Sequence, residues 1–190
     1  MMELTVNLND VRIQTDRLIL RGFRYTDLRD LFSYASVPGV GELAGWRHHQ
    51  SLDESSIALE RFIQDGDALA IWHKEDMKVI GSVGLHRSWA EEDPIYKHMR
   101  IKEIGYVLSK PYWGKGYMPE AASALIEYAF NDLNLDVLTC AHFKSNLRSE
   151  RVIHKLGFHY VSEGLFHSKA LKQTLHEKRY IMHNPNPPIR

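Results

Sequence analysis

The chain has 190 residues, enough to bury a sizeable core, and its 24 basic and 24 acidic residues give a formal charge of zero. That balance argues against nonspecific binding to nucleic acid or to a membrane surface, and no apolar run approaches the roughly 18 residues of a membrane span. The N-terminus shows no signal-peptide pattern and Cys140 is the one cysteine, so we expect a cytoplasmic protein without an internal disulfide, forming one domain over residues 1–190.

The N-terminal half predicts four strands, two helices and two loops. Apolar runs between turn residues predict the strands, at 17–21, 68–73, 79–86 and 101–108. One helix is predicted over 25–35, and a second over 51–64, where Ser51 and Glu54 form a capping-box pattern. The glycine-rich residues 38–46 and the polar residues 89–99 are expected to form loops.

The C-terminal half predicts two helices and three strands. Pro119 suits the first turn of a helix to 131, because the N–H that a proline lacks is not needed there. A strand over 136–142 precedes a helix over 146–156, and a closing pair of strands is expected at 158–166 and 174–182. Residues 184–190 are expected to fray. The order β-α-α-β-β-β-α-β-α-β-β is that of a mixed α/β domain.

A short loop with two glycines, residues 113–118, leads into the helix predicted at Pro119. Glycines let the backbone approach a ligand closely, and free N–H groups at a helix start favour an anion such as a pyrophosphate. A Walker A loop is excluded because Lys115 is followed by Gly116, and a dinucleotide fingerprint is excluded because position 119 is proline. The loop therefore predicts a different phosphate-bearing cofactor.

Residues 113–118 resemble the acyl-CoA loop of the GNAT N-acetyltransferase superfamily, with Trp113 in place of Gln or Arg and Met118 in place of a small residue. The segment from Asn146 to Phe158 is similar to the Asn-x-x-Ser-x-x-Val-x-x-Lys-Leu-Gly-Phe pattern of the RimJ/RimL-type branch, which includes ribosomal-protein N-terminal acetyltransferases. Residues 15–21 and 103–106 are also similar to that branch. The resemblance covers about residues 13–182.

The resemblance implies the GNAT fold, a mostly antiparallel twisted sheet that splays between its fourth and fifth strands and is flanked by helices. It implies acetyl-CoA as cosubstrate, with a bulge in the fourth strand freeing backbone N–H groups for the thioester and the pantetheine arm. The implied cofactor-binding residues are Val107, Leu108, Ser109, Trp113, Gly114, Lys115, Gly116, Tyr117, Met118 and Asn146. An ordinary core strand, a tight turn and a helix N-cap remain the structural alternatives for these positions.

Two catalytic residues are implied by the resemblance. Glu103 occupies the fourth-strand position that serves as a base in some GNAT members, with a surface salt bridge as its structural alternative and His86 as an alternative base. Ser149 stands where many members carry a tyrosine acid, and we expect it to donate a hydrogen bond directly or through water. Asn146, one helical turn earlier, would bind the pantetheine arm or orient Ser149.

The implied activity is direct acetyl transfer to a primary amine through a tetrahedral intermediate, with a protein or peptide N-terminal amine as the favoured acceptor. Freeing an α-amino group at pH 7 costs about 1.4 kcal/mol, against roughly 4.6 kcal/mol for a lysine amine. A small-molecule amine acceptor (polyamine, amino sugar or amino acid) and a catalytically silent acyl-CoA-binding module remain open, as does a homodimer.

Residues 39–49, with Trp46, His48 and His49, are expected to face the acceptor. No acidic cluster in the sequence marks a cationic substrate. The eleven histidines show no metal-ligand spacing, so we expect no metal.

Overall fold

A single eight-stranded sheet organises residues 5–187, the part of the chain that the computed structural model describes. The strands are β1 (Arg12–Gln14), β2 (Leu18–Gly22), β3 (Ala68–His73), β4 (Lys78–His86), β5 (Ile101–Leu108), β6 (Val137–Phe143), β7 (His159–Ser168) and β8 (Gln173–His183). The α-helices are α1 (Leu28–Ala35), α2 (Leu52–Asp65), α3 (Tyr117–Asn131) and α4 (Leu147–Leu156). Within these residues, no helix is both long and apolar enough to cross a membrane.

The strand order is β1-β2-β3-β4-β5-β6-β8-β7, and all neighbouring strands are antiparallel except β5 and β6. The mixed α/β architecture and the mostly antiparallel sheet are therefore confirmed. Strand β1 was not predicted, because it has only three residues. It shifts the numbering, so that the fourth and fifth predicted strands are β5 and β6.

The parallel strands β5 and β6 splay apart, as expected. They pair only from Ile101 opposite Val137 to Glu103 opposite Thr139, although β5 continues to Leu108 and β6 to Phe143. The expected bulge in β5 is wrong, because its register against β4 continues without interruption through all six pairs. The splay alone opens the edge of β5 beyond Glu103. We call this opening the strand gap.

Side chains alternate along each strand and build a core on both faces of the sheet. On the α3/α4 face, Leu125 and Ile153 are buried in the same cluster as the strand residue Ile104. On the α1/α2 face, the helices bury Leu31 and Leu59. Any opening through the strand gap therefore connects two faces that the rest of the sheet keeps apart.

Several element boundaries differ from the prediction by one to three residues; α1, for example, begins at Leu28, after a short 3-10 helix at Tyr25–Asp27. Helix α3 begins at Tyr117 rather than Pro119, so Pro119 is its third residue and still lies in the first turn, where no intrahelical donor is required. Asn184 does not fray, because it is buried and its side-chain amide donates to the carbonyl oxygens of Phe130 and Leu135. Residues 188–190, the end of the predicted fraying segment, lie outside the described residues.

Candidate functional site

The loop before α3 has the backbone geometry of an anion site. Gly114 and Gly116 have φ angles of 76° and 81°, in the left-handed region that favours glycine. Gly116 is the N-cap of α3, and no side chain of the described residues bonds to that cap. A Cβ at Gly114 would meet no described atom within 4 Å, so internal packing does not require a glycine at this position. The amides of Tyr117 and Met118, in the first turn of α3, remain for a ligand.

Arg17 ties the N-terminal segment to this loop. Its Nη1 donates to the Lys115 carbonyl oxygen at 3.0 Å, and its Nε donates to Glu120 Oε2 at 2.7 Å. The guanidinium also lies 4.2 Å from the centre of the Tyr117 ring. Thr15 adds a hydroxyl donor to Glu120 Oε1 at 2.6 Å. Arg17 thus compensates the negative charge of Glu120, and the same side chain ties the loop to the N-terminal segment.

A cavity of about 520 Å³, here called the loop cavity, lies between the glycine loop and α4. Its α4 wall carries Arg148, Arg151 and Lys155, which recur at helical spacing and therefore share one side of the helix. The Arg148 guanidinium lies 4.8 Å from the centre of the Trp113 ring, so this side chain bridges from α4 to the glycine loop. The loop cavity combines free helix-terminal amides with three cationic side chains.

The open edge of β5 borders the loop cavity, and strand alternation decides which amides face it. The Ser109 amide donates to the Ile80 carbonyl oxygen at 2.8 Å, so the backbone of Ser109 points toward β4. Val107, two residues earlier, points the same way. Tyr106 and Leu108 point toward the strand gap, and the Leu108 carbonyl oxygen accepts from the Trp113 indole at 2.7 Å. The expectation that Val107 and Ser109 offer free backbone N–H groups is therefore wrong, whereas Leu108 keeps that geometry.

A second cavity of about 370 Å³, the gap cavity, lies at the strand gap. It shares six lining residues with the loop cavity, namely Leu43, Ala44, Tyr106, Val107, Asn146 and Ser149. Most of its remaining lining belongs to the α1/α2 face, since Glu103, Phe143 and Glu177 alternate onto that side. The two cavities therefore meet through the sheet, each reaching the junction from its own face.

Ser149 and Tyr106 form a hydroxyl pair at the junction. Their side-chain oxygens lie 2.9 Å apart, and the Tyr106 hydroxyl also donates to the Ser149 carbonyl oxygen at 3.4 Å. Burial, together with the neighbouring Cys140, raises the pKa of Tyr106 well above its ordinary value. Tyr106 therefore stays protonated and serves as a hydrogen-bond donor.

Asn146 is the N-cap of α4, with Oδ1 accepting from the Ser149 amide at 3.2 Å. Its Nδ2 donates to the Leu43 carbonyl oxygen at 3.1 Å, which ties α4 to the loop over residues 38–49. The amide thus positions Ser149 at the helix start. Asn146 also lines both cavities.

Glu103 lines the gap cavity, and its carboxyl group has a raised pKa. Its Oε2 accepts from the Thr139 hydroxyl at 3.3 Å and the Trp89 amide at 3.5 Å, and within residues 5–187 no hydrogen bond ends on Oε1. Burial, assisted by the nearby Glu177 carboxylate, raises the pKa of Glu103 from its ordinary 4.5 to about 7. A carboxylate in this state can accept a proton at neutral pH.

His86 stands directly opposite Glu103 in the β4–β5 register. Its Nδ1 lies 2.7 Å from Asp67 Oδ2, and its ring occupies the space above Gly84 and Gly105. Burial is the largest single influence and raises the pKa of the Asp67 carboxyl, but the hydrogen bond and attraction from His86, a backbone hydrogen bond and the attraction of Lys102 together lower it. His86 is thus an oriented imidazole in the gap cavity rather than an isolated strand histidine.

A family model described as an acetyltransferase (GNAT) domain matches residues 17–159. The chain belongs to the GNAT acetyltransferase family. It is an acyltransferase, and several of its relatives are described as N-acetyltransferases.

One curated relative and two solved structures illustrate what the chain is similar to. The uncharacterized N-acetyltransferase YoaA of Bacillus subtilis is 28% identical over 151 residues, which cover 77% of this chain and 81% of YoaA. The crystal structure of ribosomal-protein-S5-alanine acetyltransferase from Vibrio fischeri superposes with a TM-score of 0.71 at 20% identity, covering 95% of this chain and all of that one. Spermidine N-acetyltransferase from Vibrio cholerae, solved with CoA and spermine, gives 0.70 at 18% identity, covering 90% of this chain and 97% of that chain.

Of the remaining predicted loop residues, Trp113 and Met118 pack with the core and also line the loop cavity, whereas Lys115 is exposed. Met118 is buried in the core, which explains why a long apolar side chain is accepted at this position. The Lys115 ammonium lies 5.8 Å from the centre of the Tyr112 ring, and Lys115 does not line either cavity. Trp113 packs against both core clusters. The cationic side chains that line the loop cavity are Arg148, Arg151 and Lys155 of α4.

The loop over residues 39–49, which is expected to face the acceptor, reaches the gap cavity with only some of its residues. Trp46 lines the gap cavity, but His48 and His49 do not. His48 Nδ1 lies 2.7 Å from Glu42 Oε1, and His49 Nδ1 lies 2.7 Å from the Ser55 hydroxyl, so both rings are used to fold the loop. Among the residues that the structure describes, no group of three or more His, Cys, Asp or Glu side chains is placed to hold a metal ion.

Proposed function

We propose that this protein transfers the acetyl group of acetyl-CoA directly to a primary amine, with an α-amino group as the favoured acceptor. The observation that carries the proposal is the meeting of two cavities at the strand gap, one built for an anion and one containing a carboxylate whose pKa lies near neutrality. Acetyl-CoA, when bound, supplies an activated thioester; the protein holds it, orients the amine and moves protons.

The loop cavity fits the coenzyme. The amides of Tyr117 and Met118 at the start of α3 would bind the pyrophosphate, and the helix dipole adds roughly half a positive charge there. Arg148, Arg151 and Lys155 supply further positive charge on the opposite wall. The Leu108 amide, on the open edge of β5, would donate to the acyl arm or to its carbonyl oxygen.

The acidity of Glu103 favours an α-amino acceptor. A base with a pKa near 7 takes a proton from an α-amino group, whose reference pKa is about 8, at a cost of about 1.4 kcal/mol. A lysine-type amine, at about 10.4, would cost roughly 4.6 kcal/mol. On the other side of the junction, the Ser149 hydroxyl, held by Tyr106, would donate a hydrogen bond to the leaving sulfur.

Two measurements test the proposal. Titration calorimetry should show acetyl-CoA binding, and a thiol assay should show CoA release with an α-amino acceptor at a rate that rises with pH through about 7. No heat at millimolar acetyl-CoA would overturn the cofactor assignment. Binding without thiol release from any amine would instead indicate a silent acyl-CoA-binding protein.

The base is assigned with a pair of variants. Glu103→Gln should lower kcat by about 100-fold while leaving the acetyl-CoA dissociation constant unchanged. Asp67→Asn, which removes the carboxylate that orients His86, should cost less than about tenfold. A larger loss in Asp67→Asn than in Glu103→Gln would move the base role to His86.

A further inference from the structure

Four aromatic rings line the gap cavity. They come from four separate elements of the chain: Trp46, Phe62, Phe143 and Phe166. Phe143 and Phe166 pack with their ring centres 5.5 Å apart. Gly45 lies against them so closely that a Cβ there would be 2.7 Å from a Phe166 ring carbon. The Ser168 hydroxyl donates to the Gly45 carbonyl oxygen at 2.7 Å and holds the loop in this position.

The acidic side chains of the same cavity come from two strands, β5 and β8. Glu177 and Glu103 are its two carboxylates, and the strand registers place both on the α1/α2 face. Glu177 is only 7% exposed, and Oε1 accepts from Arg179 Nε at 2.7 Å. The Arg179 side chain reaches this position because residue 164 is a glycine, where a Cβ would lie 2.2 Å from Nε. In the β6–β8 register Glu177 stands opposite Phe143, so a carboxylate and an aromatic ring lie side by side in this cavity.

The two carboxylates and the four aromatic rings together limit the acceptors that fit this cavity. An ammonium group would find its carboxylate partners in Glu103 and Glu177, whereas a second cation would find no further carboxylate among the lining residues. Burying an unpaired charge in this way is strongly unfavourable. A polyamine is therefore a poor fit. A volume of about 370 Å³ is sufficient for an amine together with one large side chain.

We infer that the acceptor is a primary amine whose neighbouring carbon carries a bulky apolar group, with an aromatic ring preferred. The amino group lies between Glu103 and Glu177, and the apolar group packs against Phe166 and Trp46. Two sources share this chemistry, namely a small amino compound and the first residue of a peptide. The inference rests on the proposed function and narrows it.

The substrate test compares matched amines by CoA release. Phenylalaninamide should exceed alaninamide in kcat/KM by at least tenfold, because its ring is transferred from water onto the Trp46 and Phe166 rings. A phenylalanine-initial pentapeptide compared with its alanine-initial counterpart reports the second source. Equal rates for the ring-bearing and ring-free amines, or a preference for spermidine, would overturn the inference while leaving the proposed function intact. Absence of turnover with every amine would overturn both.

Two variants link the preference to the cavity. Phe166→Ala should lower the phenylalaninamide-to-alaninamide ratio at least fivefold, whereas Leu165→Ala should not change it. Leu165 is the matched control because it is 49% exposed, neighbours Phe166 in β7 and alternates to the opposite side. An unchanged ratio in Phe166→Ala, or equal losses in both variants, would place the apolar group elsewhere.

The role of Glu177 has its own pair. Glu177→Gln should raise KM for both amides about tenfold without changing the acetyl-CoA dissociation constant, which also reports that the variant is folded. Glu163→Gln is the control, since Glu163 pairs with Lys144 on the surface of the same hairpin. An unchanged KM in Glu177→Gln with intact acetyl-CoA binding would remove Glu177 from the acceptor site.

Discussion

Replacing Glu103 with glutamine should stabilise the protein while it removes activity. The folded state raises the pKa of this carboxyl from 4.5 to about 7, chiefly through burial. The folded chain therefore holds the proton more tightly than the unfolded chain. This contribution to stability is complete below pH 4.5 and is lost as the pH rises through 7. At higher pH the buried charge destabilises the native state.

The expected size follows from the two pKa values. Relative to a side chain that cannot ionise, ionisation of Glu103 lowers the free energy of unfolding of the wild type by about 3 kcal/mol at pH 8 and about 1 kcal/mol at pH 5. For a domain of this length, 1 kcal/mol corresponds to about 2–4 °C in Tm. Glu103→Gln should therefore exceed the wild type by about 6–12 °C at pH 8 and by only about 2–4 °C at pH 5.

Thermal unfolding monitored by circular dichroism at the two pH values measures this difference. Glu60→Gln is the matched control, because Glu60 is exposed on α2 and lies outside both cavities. It should follow the wild type at both values. A gap between Glu103→Gln and the wild type that is equal at pH 5 and pH 8 would refute the reasoning, because the carboxylate would then not be titrating between them.

Two glycines give further predictions. Gly116→Asp should weaken acetyl-CoA binding at least tenfold in calorimetry, because it places a negative charge at the helix start; Gly116→Ala shares the φ strain and should lose less. Equal losses in the two variants would show that charge is not the cause. Gly45→Ala should destabilise the fold by about 2–3 kcal/mol in urea unfolding, since its φ is 89° and the new Cβ would meet Phe166. A loss below about 0.5 kcal/mol would mean that the loop moves away freely.

Local chemistry was readable from the sequence, and long-range register was not. The left-handed glycines of the loop and the Asn146 cap follow from short motifs, because the residues that create them are neighbours in the chain. Glu177 reaches the gap cavity only through the pairing of β8 with β6, and no local pattern encodes that pairing. Arg17 contacts Glu120 across 103 positions for the same reason.

The expected bulge in β5 and the expected free amides of Val107 and Ser109 came from the family resemblance rather than from local chemistry. In this chain a continuous β4–β5 register occupies those donors. The cationic side of α4 shows the opposite case. Arg148, Arg151 and Lys155 recur at helical spacing, and that signal was present in the sequence before the structure showed what it faces.

The two cavities reach the strand gap from opposite faces of the sheet, and this arrangement has a kinetic consequence. With acetyl-CoA in the loop cavity and the amine in the gap cavity, as proposed, neither reactant crosses the path of the other, and we expect a random-order ternary complex rather than a covalent acetyl-enzyme. A bisubstrate compound that joins the CoA sulfur to the acceptor nitrogen would pass through the sheet and be retained on both sides. Such a compound should bind more tightly than either half alone.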